Sequence, residues 1–245
     1  MANYKMIIQY EGAHFNGWQR QGNTKNTIQE KIETVLSQFT GEPIEIAGSG
    51  RTDAGAHAYG QVANFHTGKE IVEKDIISFV NKNLPNDIAV LSVERVSDRF
   101  HSRLNAKRKT YIYRIWNSEI SSVFDRRLMY TSTESLDIEE MRKAASLFLG
   151  THDFKSFCSN KRYKKSTVRE IYSAEVKKTG YEIRLTFCGN GFLYNMVRIM
   201  AGTIVQVGEG KIKANQIPSM LEAKDREAAG VTLPAQGLTL VKVEY

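Results

Sequence analysis

Tyr4, Met6, Ile8 and Tyr10 alternate with Lys5, Ile7 and Gln9, a period of two that predicts a strand with one well-buried face. Further along the period lengthens, and Ile28, Ile32, Val35, Leu36 and Phe39 share one side of a helix. Thr27-Ile28-Gln29-Glu30 fits a capping box at its start, and Gly41 is a natural stop. Residues 44–47 read as a second strand and residues 61–66 as a third, after a glycine-rich loop. A second helix over residues 75–84, closed by Pro85, precedes a fourth strand at 88–96. The order β-α-β-β-α-β is the ferredoxin-like motif, whose helices cover one sheet face and leave the other for a second domain or a ligand.

The rest of the chain follows a similar order. Residues 109–116 form an aromatic and β-branched strand, and 136–149 carry helical periodicity up to Gly150. Residues 168–176 turn through Lys178-Thr179-Gly180 into an alternating strand at 181–187. Residues 192–207 and 217–223 are helical candidates, and 238–245 is a closing strand. The two halves share an element order without a repeat in their residues. The expected class is α+β, with halves at 1–105 and 106–245 that share one continuous core; only a shift in composition marks the boundary.

Composition narrows the function classes. A chain of 245 residues that is 41% hydrophobic can bury a core, so disorder as the dominant state is excluded. The start lacks a basic segment followed by an apolar run, and no stretch approaches a membrane span, so the expected location is the cytoplasm. Two cysteines without a C-x-x-C pair and five scattered histidines give no support for a structural zinc site or a disulfide framework. Lys+Arg 34 against Asp+Glu 27 leaves a net charge of +7, which favours an anionic partner. The charge is uneven: residues 1–105 hold 11 basic and 12 acidic side chains, and residues 106–245 hold 23 and 15. Two acid-free runs, 99–114 and 154–169, carry six basic residues each. Either alone reads equally as a solvated loop face. With Tyr111, Tyr113, Phe154, Phe157 and Tyr163 interleaved, the pair resembles a nucleic-acid surface.

Three places carry candidate chemistry. The loop Gly48-Ser49-Gly50-Arg51-Thr52-Asp53-Ala54-Gly55-Ala56-His57 fails as a dinucleotide fingerprint, because Asp53 stands where a third glycine is needed. It fails as a P-loop because Ala56 and His57 stand where lysine and a hydroxyl residue belong. A tight turn with an Asx-type bond from Asp53 is one reading. The other is a functional carboxylate, since Asp53 is the only acid between Glu45 and Glu70, and a lone carboxylate suits work on a sugar or base better than metal chelation. Arg198 interrupts the apolar series Leu193, Met196, Val197, Ile199, Met200, Ala201, Ile204 and Val205. It either lies at a rim, reaching water or a carbonyl, or pairs with a carboxylate. Tyr111 is either sheet core or a platform for an unpaired base.

Gly50-Arg51-Thr52-Asp53-Ala54-Gly55, Lys109-Thr110-Tyr111-Ile112-Tyr113 and Asn195-Met196-Val197-Arg198 resemble, in order and spacing, the motifs of the TruA-type tRNA pseudouridine synthases. The resemblance runs from residues 10–21, which include Gly17-Trp18-Gln19-Arg20-Gln21, to the closing residues 227–240, with Ala56 where valine is more usual. The fold it implies has two ferredoxin-like halves sharing a continuous, mainly antiparallel sheet with helices on the outer face. The implied activity is isomerisation of uridine in the tRNA anticodon stem-loop, at tRNA positions 38, 39 and 40, by a homodimer without metal or organic cofactor. It makes Asp53 the nucleophile, stacks Tyr111 on the uracil, pairs Arg198 with Asp53 and puts Arg51 in the gap left by the displaced base. Attack at C1′, attack at C6 and glycal formation are three routes open to that carboxylate. A tandem RNA-recognition module without catalysis is the rival, since two ferredoxin-like units with aromatics on a sheet fit that class too; Tyr59-Gly60-Gln61-Val62-Ala63-Asn64-Phe65 faintly resembles its aromatic motif without matching it. A metal-dependent nuclease is disfavoured by the isolation of Asp53.

Overall fold

The period-two segment forms β1 (Ala2–Tyr10) in the computed structural model, which describes residues 1–245. Tyr4, Met6, Ile8 and Tyr10 are buried on one face, as the alternation requires. Helix α1 (Ile28–Thr40) starts at Thr27, whose Oγ1 accepts from the Glu30 N–H at 3.3 Å, and ends at Gly41 with φ 72°. Half of the capping box forms, while the Glu30 carboxylate faces Arg20 at 3.9 Å. Next come β2 (Ile46–Gly48), β3 (His57–Thr67), α2 (Glu73–Asn83) and β4 (Ile88–Val96). The second strand is shorter than the 44–47 pattern suggests, since Ile44 is spent bonding the Ser37 hydroxyl at 2.9 Å.

Contacts divide the chain into two units, Met1–Lys107 with Thr239–Tyr245, and Arg108–Leu238. In the first, β1 pairs antiparallel with both β3 and β4, and β2 pairs antiparallel with β3, the strand arrangement of the ferredoxin-like motif. The closing strand β10 (Leu238–Glu244), expected with the second half, groups with this unit. It runs parallel to β3, Thr239 opposite His57 and Leu240 opposite Ala58. Gly60 permits the approach, since a Cβ there would lie 2.6 Å from the Val241 carbonyl oxygen. Phe39 of α1 and Phe79 of α2 meet at 5.3 Å between ring centroids.

The second unit is built on β5 (Arg108–Asn117), which pairs antiparallel with β9 (Glu182–Gly189) from Lys109 opposite Gly189 to Trp116 opposite Glu182. Strand β9 continues to β8 (Val168–Thr179), and β8 to β7 (Gly150–Asp153), both antiparallel. A short β6 (Tyr130–Ser132) lies parallel to β5. Periodicity missed β6 and β7, which are too short to show one. Helix α3 (Ile138–Ser146) is capped by Asp137, whose Oδ1 accepts from the Glu139 and Glu140 N–H groups at 2.9 and 3.1 Å. It packs on α4 (Met196–Gly208) and β8, and α5 (Ile217–Ala223) follows. The fold is α+β with mainly antiparallel strands, as expected. No helix is long and apolar enough to cross a membrane.

Candidate active site

The loop between β2 and β3 is bound to its unit on every side. Ser49 N–H donates to the Val62 carbonyl at 2.7 Å, and the Ser49 hydroxyl to Gln61 Oε1 at 2.6 Å. Gln61 Nε2 returns a bond to the Gly50 carbonyl at 2.9 Å. Thr52 is held twice, by the Trp18 N–H on its carbonyl at 3.1 Å and by the buried Tyr10 hydroxyl 2.8 Å from its Oγ1. Burial pushes the Tyr10 phenol far up, against the pull of Thr52 and Gln61, so it stays a neutral hydroxyl. The Ala56 N–H closes a turn on the Asp53 carbonyl at 3.1 Å, and Gly12 N–H donates to His57 Nδ1 at 2.9 Å, which leaves the proton of a neutral His57 on Nε2. Gly48 is needed for close approach, since a Cβ there would fall 2.5 Å from the indole nitrogen of buried Trp18. Asp53 emerges half-buried from this frame, with Arg51 and Ala54 exposed beside it.

Arg51 is tied back to the unit through Nε, which donates to Gln19 Oε1 at 2.9 Å. Both side chains border a pocket of about 170 Å³ that Trp18, His101 and Arg103 also line. Gln19, Gln29 and Trp18 were not singled out by residue type. The signal present was a polar pair, Gln29 and Glu33, spaced four apart on an otherwise apolar helix face.

Tyr111 and Arg198 belong to the second unit. Tyr111 lies on β5 opposite Phe187, only 7% exposed, with the Phe192 ring edge-on at 5.1 Å. Arg198 is in the first turn of α4, whereas the apolar series places the helix start at residue 192. The chain instead turns at Asn195, which has φ 63°, a conformation asparagine tolerates better than most residues. A cation at a helix N-terminus opposes the helix dipole and needs other partners. Arg198 Nε donates to the Leu233 carbonyl at 2.7 Å and Nη1 to Asn195 Oδ1 at 2.9 Å. Its charge also reaches the phenol of Tyr113, which burial pushes far up while Arg198 pulls the other way. Tyr111 and Arg198 thus both touch the 192–195 segment, through Phe192 and Asn195.

The basic runs differ from the expectation. Tyr113, Phe154 and Phe157 are fully buried, the last two in one cluster with Phe148, and none presents a face to a base. Apolar area in a chain this size is worth more in the core than on a surface. Arg114 is also drawn inward, bonding Glu182 at 2.8 Å. Lys161, Arg162, Lys164 and Lys165 remain exposed. The first run rests on a rigid support, because buried Ser102 donates its N–H to Asn64 Oδ1 at 2.9 Å and accepts from the Tyr245 hydroxyl at 2.8 Å. Cys158 and Cys188 are free thiols, and no three His, Cys, Asp or Glu side chains gather as a metal-binding group.

A profile of the family described as tRNA pseudouridine synthase matches residues 6–105 and 144–245. The chain is 48% identical to "tRNA pseudouridine synthase A 2" of Bacillus cereus and 46% identical to "tRNA pseudouridine synthase A 1" of Clostridium tetani. It is 44% identical to "tRNA pseudouridine synthase A" of Acetivibrio thermocellus. Each alignment spans 245 residues, 100% of both chains.

Proposed function

Because this chain belongs to the tRNA pseudouridine synthase family, isomerases that act on tRNA, we propose that it converts uridine to pseudouridine in the anticodon stem-loop, with Asp53 as nucleophile. The positions are 38, 39 and 40 of the tRNA. The observation that carries this reading is the Gly48–His57 loop, in which peptide groups around Asp53 are bonded to β3 and the Trp18 segment, and the Thr52 hydroxyl to Tyr10 of β1. Such a frame holds a carboxylate in one place, as a reacting group requires.

The reaction breaks the C1′–N1 bond, turns the uracil while it is still held, joins C1′ to C5 and transfers the C5 proton away as N1 gains one. It is an isomerisation without net redox change, so side chains suffice and no cofactor is invoked. Asp53 supplies the carboxylate. Tyr111 lies under the uracil as a flat platform, and Arg198 offsets the charge of Asp53. A base inside a stem must first be extruded, which costs a few kcal/mol. Arg51 occupies the space it leaves, and phosphate contacts from the exposed basic residues offset the remainder. In this reading the first unit carries the reacting loop, and the second binds RNA and completes the site. The protein acts in the cytoplasm as a homodimer.

Against the RNA-module alternative, Phe65 of the 59–65 segment is buried and stacked on Tyr4 at 5.6 Å, which leaves Tyr59 as its one exposed aromatic. The deciding experiment maps pseudouridine in an unmodified tRNA transcript after incubation with the purified protein. New pseudouridine at positions 38 to 40 supports the assignment. Tight binding with no pseudouridine anywhere in the transcript overturns it.

A further inference from the structure

Arg51 is exposed, yet its guanidinium ends a chain of hydrogen bonds that begins in the core. Glu33 and Gln29 of α1 are 4% and 8% exposed. Gln29 Nε2 donates to Glu33 Oε1 at 2.8 Å, and Gln19 Nε2 donates to Gln29 Oε1 at 2.6 Å. Arg51 Nε then donates to Gln19 Oε1 at 2.9 Å. The origin is anchored, since Glu33 also accepts from the Ile46 N–H at 3.0 Å and from Arg20 Nη1 at 2.9 Å.

The polarity of this chain is determined by its buried end. An ionised carboxylate only accepts, so Gln29 must turn its NH₂ toward Glu33 and its oxygen outward. That oxygen also takes the Arg20 peptide N–H at 2.9 Å, which reinforces the direction. Gln19 has then to present its NH₂ to Gln29 and its oxygen to Arg51. Reversing either amide would set two donors or two acceptors face to face, and for Gln29 the unmet group would be buried.

We infer that Glu33, Gln29 and Gln19 form a positioning relay that orders Arg51 before RNA binds, holding its Nε edge so that the terminal Nη groups face the substrate. The inference rests on the role given to Arg51 in the proposed function. A free arginine loses rotamer freedom when it enters a confined gap, and a residue ordered beforehand avoids that loss on binding. Gln19 and Gln29 touch no reacting atom in this scheme; they act through Arg51.

The test combines spectra and kinetics on Gln19→Leu, Gln19→Glu, Arg51→Leu and the double variant Gln19→Leu/Arg51→Leu. The Arg51 Nε–H signal in ¹H–¹⁵N spectra is expected to persist in the wild type and in Gln19→Glu, which keeps an acceptor, and to vanish into exchange in Gln19→Leu. Single-turnover rates at saturating stem-loop RNA should fall about tenfold to a hundredfold in Gln19→Leu, the range for a slightly misplaced group. Gln19→Glu keeps the acceptor for Arg51 but loses the donor to Gln29 Oε1, so at saturation it should recover only part of the Gln19→Leu loss, while binding RNA more weakly because it adds a negative charge. In the Arg51→Leu background, Gln19→Leu should have no further effect, since its only route to the reaction is gone. An unchanged signal or rate in Gln19→Leu, or additive losses in the double variant, would overturn the relay. Should the wild type make no pseudouridine while the Arg51 signal still depends on Gln19, the relay's hold on Arg51 is supported and the proposed reaction is refuted.

Discussion

Asp53 is half-buried on a loop whose neighbouring peptide groups are already bonded, so exchanging its carboxylate for an amide changes charge with little change of shape. Asp53→Asn is expected to abolish pseudouridine formation and to leave tRNA affinity within about tenfold, or roughly 1.4 kcal/mol. Turnover and filter-binding assays check it, and near-normal turnover would remove Asp53 from the reaction. Tyr111 presents a different choice, because a ring that is 7% exposed and packed edge-on against Phe192 serves the core whatever else it does. Tyr111→Phe keeps the ring and should slow only a step that uses the hydroxyl. Tyr111→Ala should lose about 3 to 5 kcal/mol of stability as well as the platform. Single-turnover rates beside thermal unfolding separate the two, and equal mild effects from both variants would leave Tyr111 a core residue only. Residue type marked Asp53, Tyr111 and Arg198 as candidates, and the family resemblance added Arg51. Residue type could not single out Gln19 or Gln29, whose part depends on which atoms a folded chain brings within 3 Å.

At the scale of elements, two junctions invite measurement. Where β2 runs into the loop, Gly48 lies against Trp18, and Gly48→Ala should cost about 1 to 3 kcal/mol through overpacking. Denaturant unfolding would show it, and a loss below about 0.5 kcal/mol would mean the indole yields freely. Across β5 and β9, Arg114 and Arg184 stand directly opposite each other, an arrangement of like charges that destabilises a sheet. Glu182 lies between them, accepting from Arg114 Nε at 2.8 Å and Arg184 Nη2 at 3.0 Å. Burial alone would raise the Glu182 carboxyl, but the two arginines outweigh it and hold it below its usual range. A carboxylate lowered by folding stabilises the protein above its unfolded value, about pH 4.3, and that contribution fades as pH falls through the lower folded value. Glu182→Gln should therefore lower stability at neutral pH and flatten the fall below about pH 4.3. Urea unfolding between pH 3 and pH 7 is the check; parallel curves for the two proteins would contradict it.

For the whole molecule, the question is where tRNA affinity arises. Tyr113, Phe154 and Phe157 are core, so the proposed function assigns affinity to exposed cations such as Lys161, Arg162, Lys164 and Lys165. Each phosphate contact releases counterions and adds about 0.7 to 0.9 to the slope of log affinity against log salt. Replacing Lys164 and Lys165 with glutamine should flatten that slope by about 1.4 to 1.8 and leave saturating turnover nearly unchanged. A tRNA titration at several salt concentrations measures it. An unchanged slope would shift the RNA surface to the exposed arginines of the 99–114 run.

Periodicity and punctuation, acting over a few residues, determined β1, α1, β4, the β8–β9 hairpin and α5, because burial of one face repeats every two or 3.6 residues whatever lies opposite. The same local terms marked the Gly48–His57 loop and the isolation of Asp53. Contacts distant in sequence decided the rest. The start of α4 moved to Met196 because Asn195 could turn left-handed, and β10 joined the first unit because Gly60 lets it approach β3. Aromatic residues between cations went inward because a core gains more from a ring than a wet surface does. The orientation of Gln19 follows from the charge of Glu33 two hydrogen bonds away, in another element, and no local pattern encodes that.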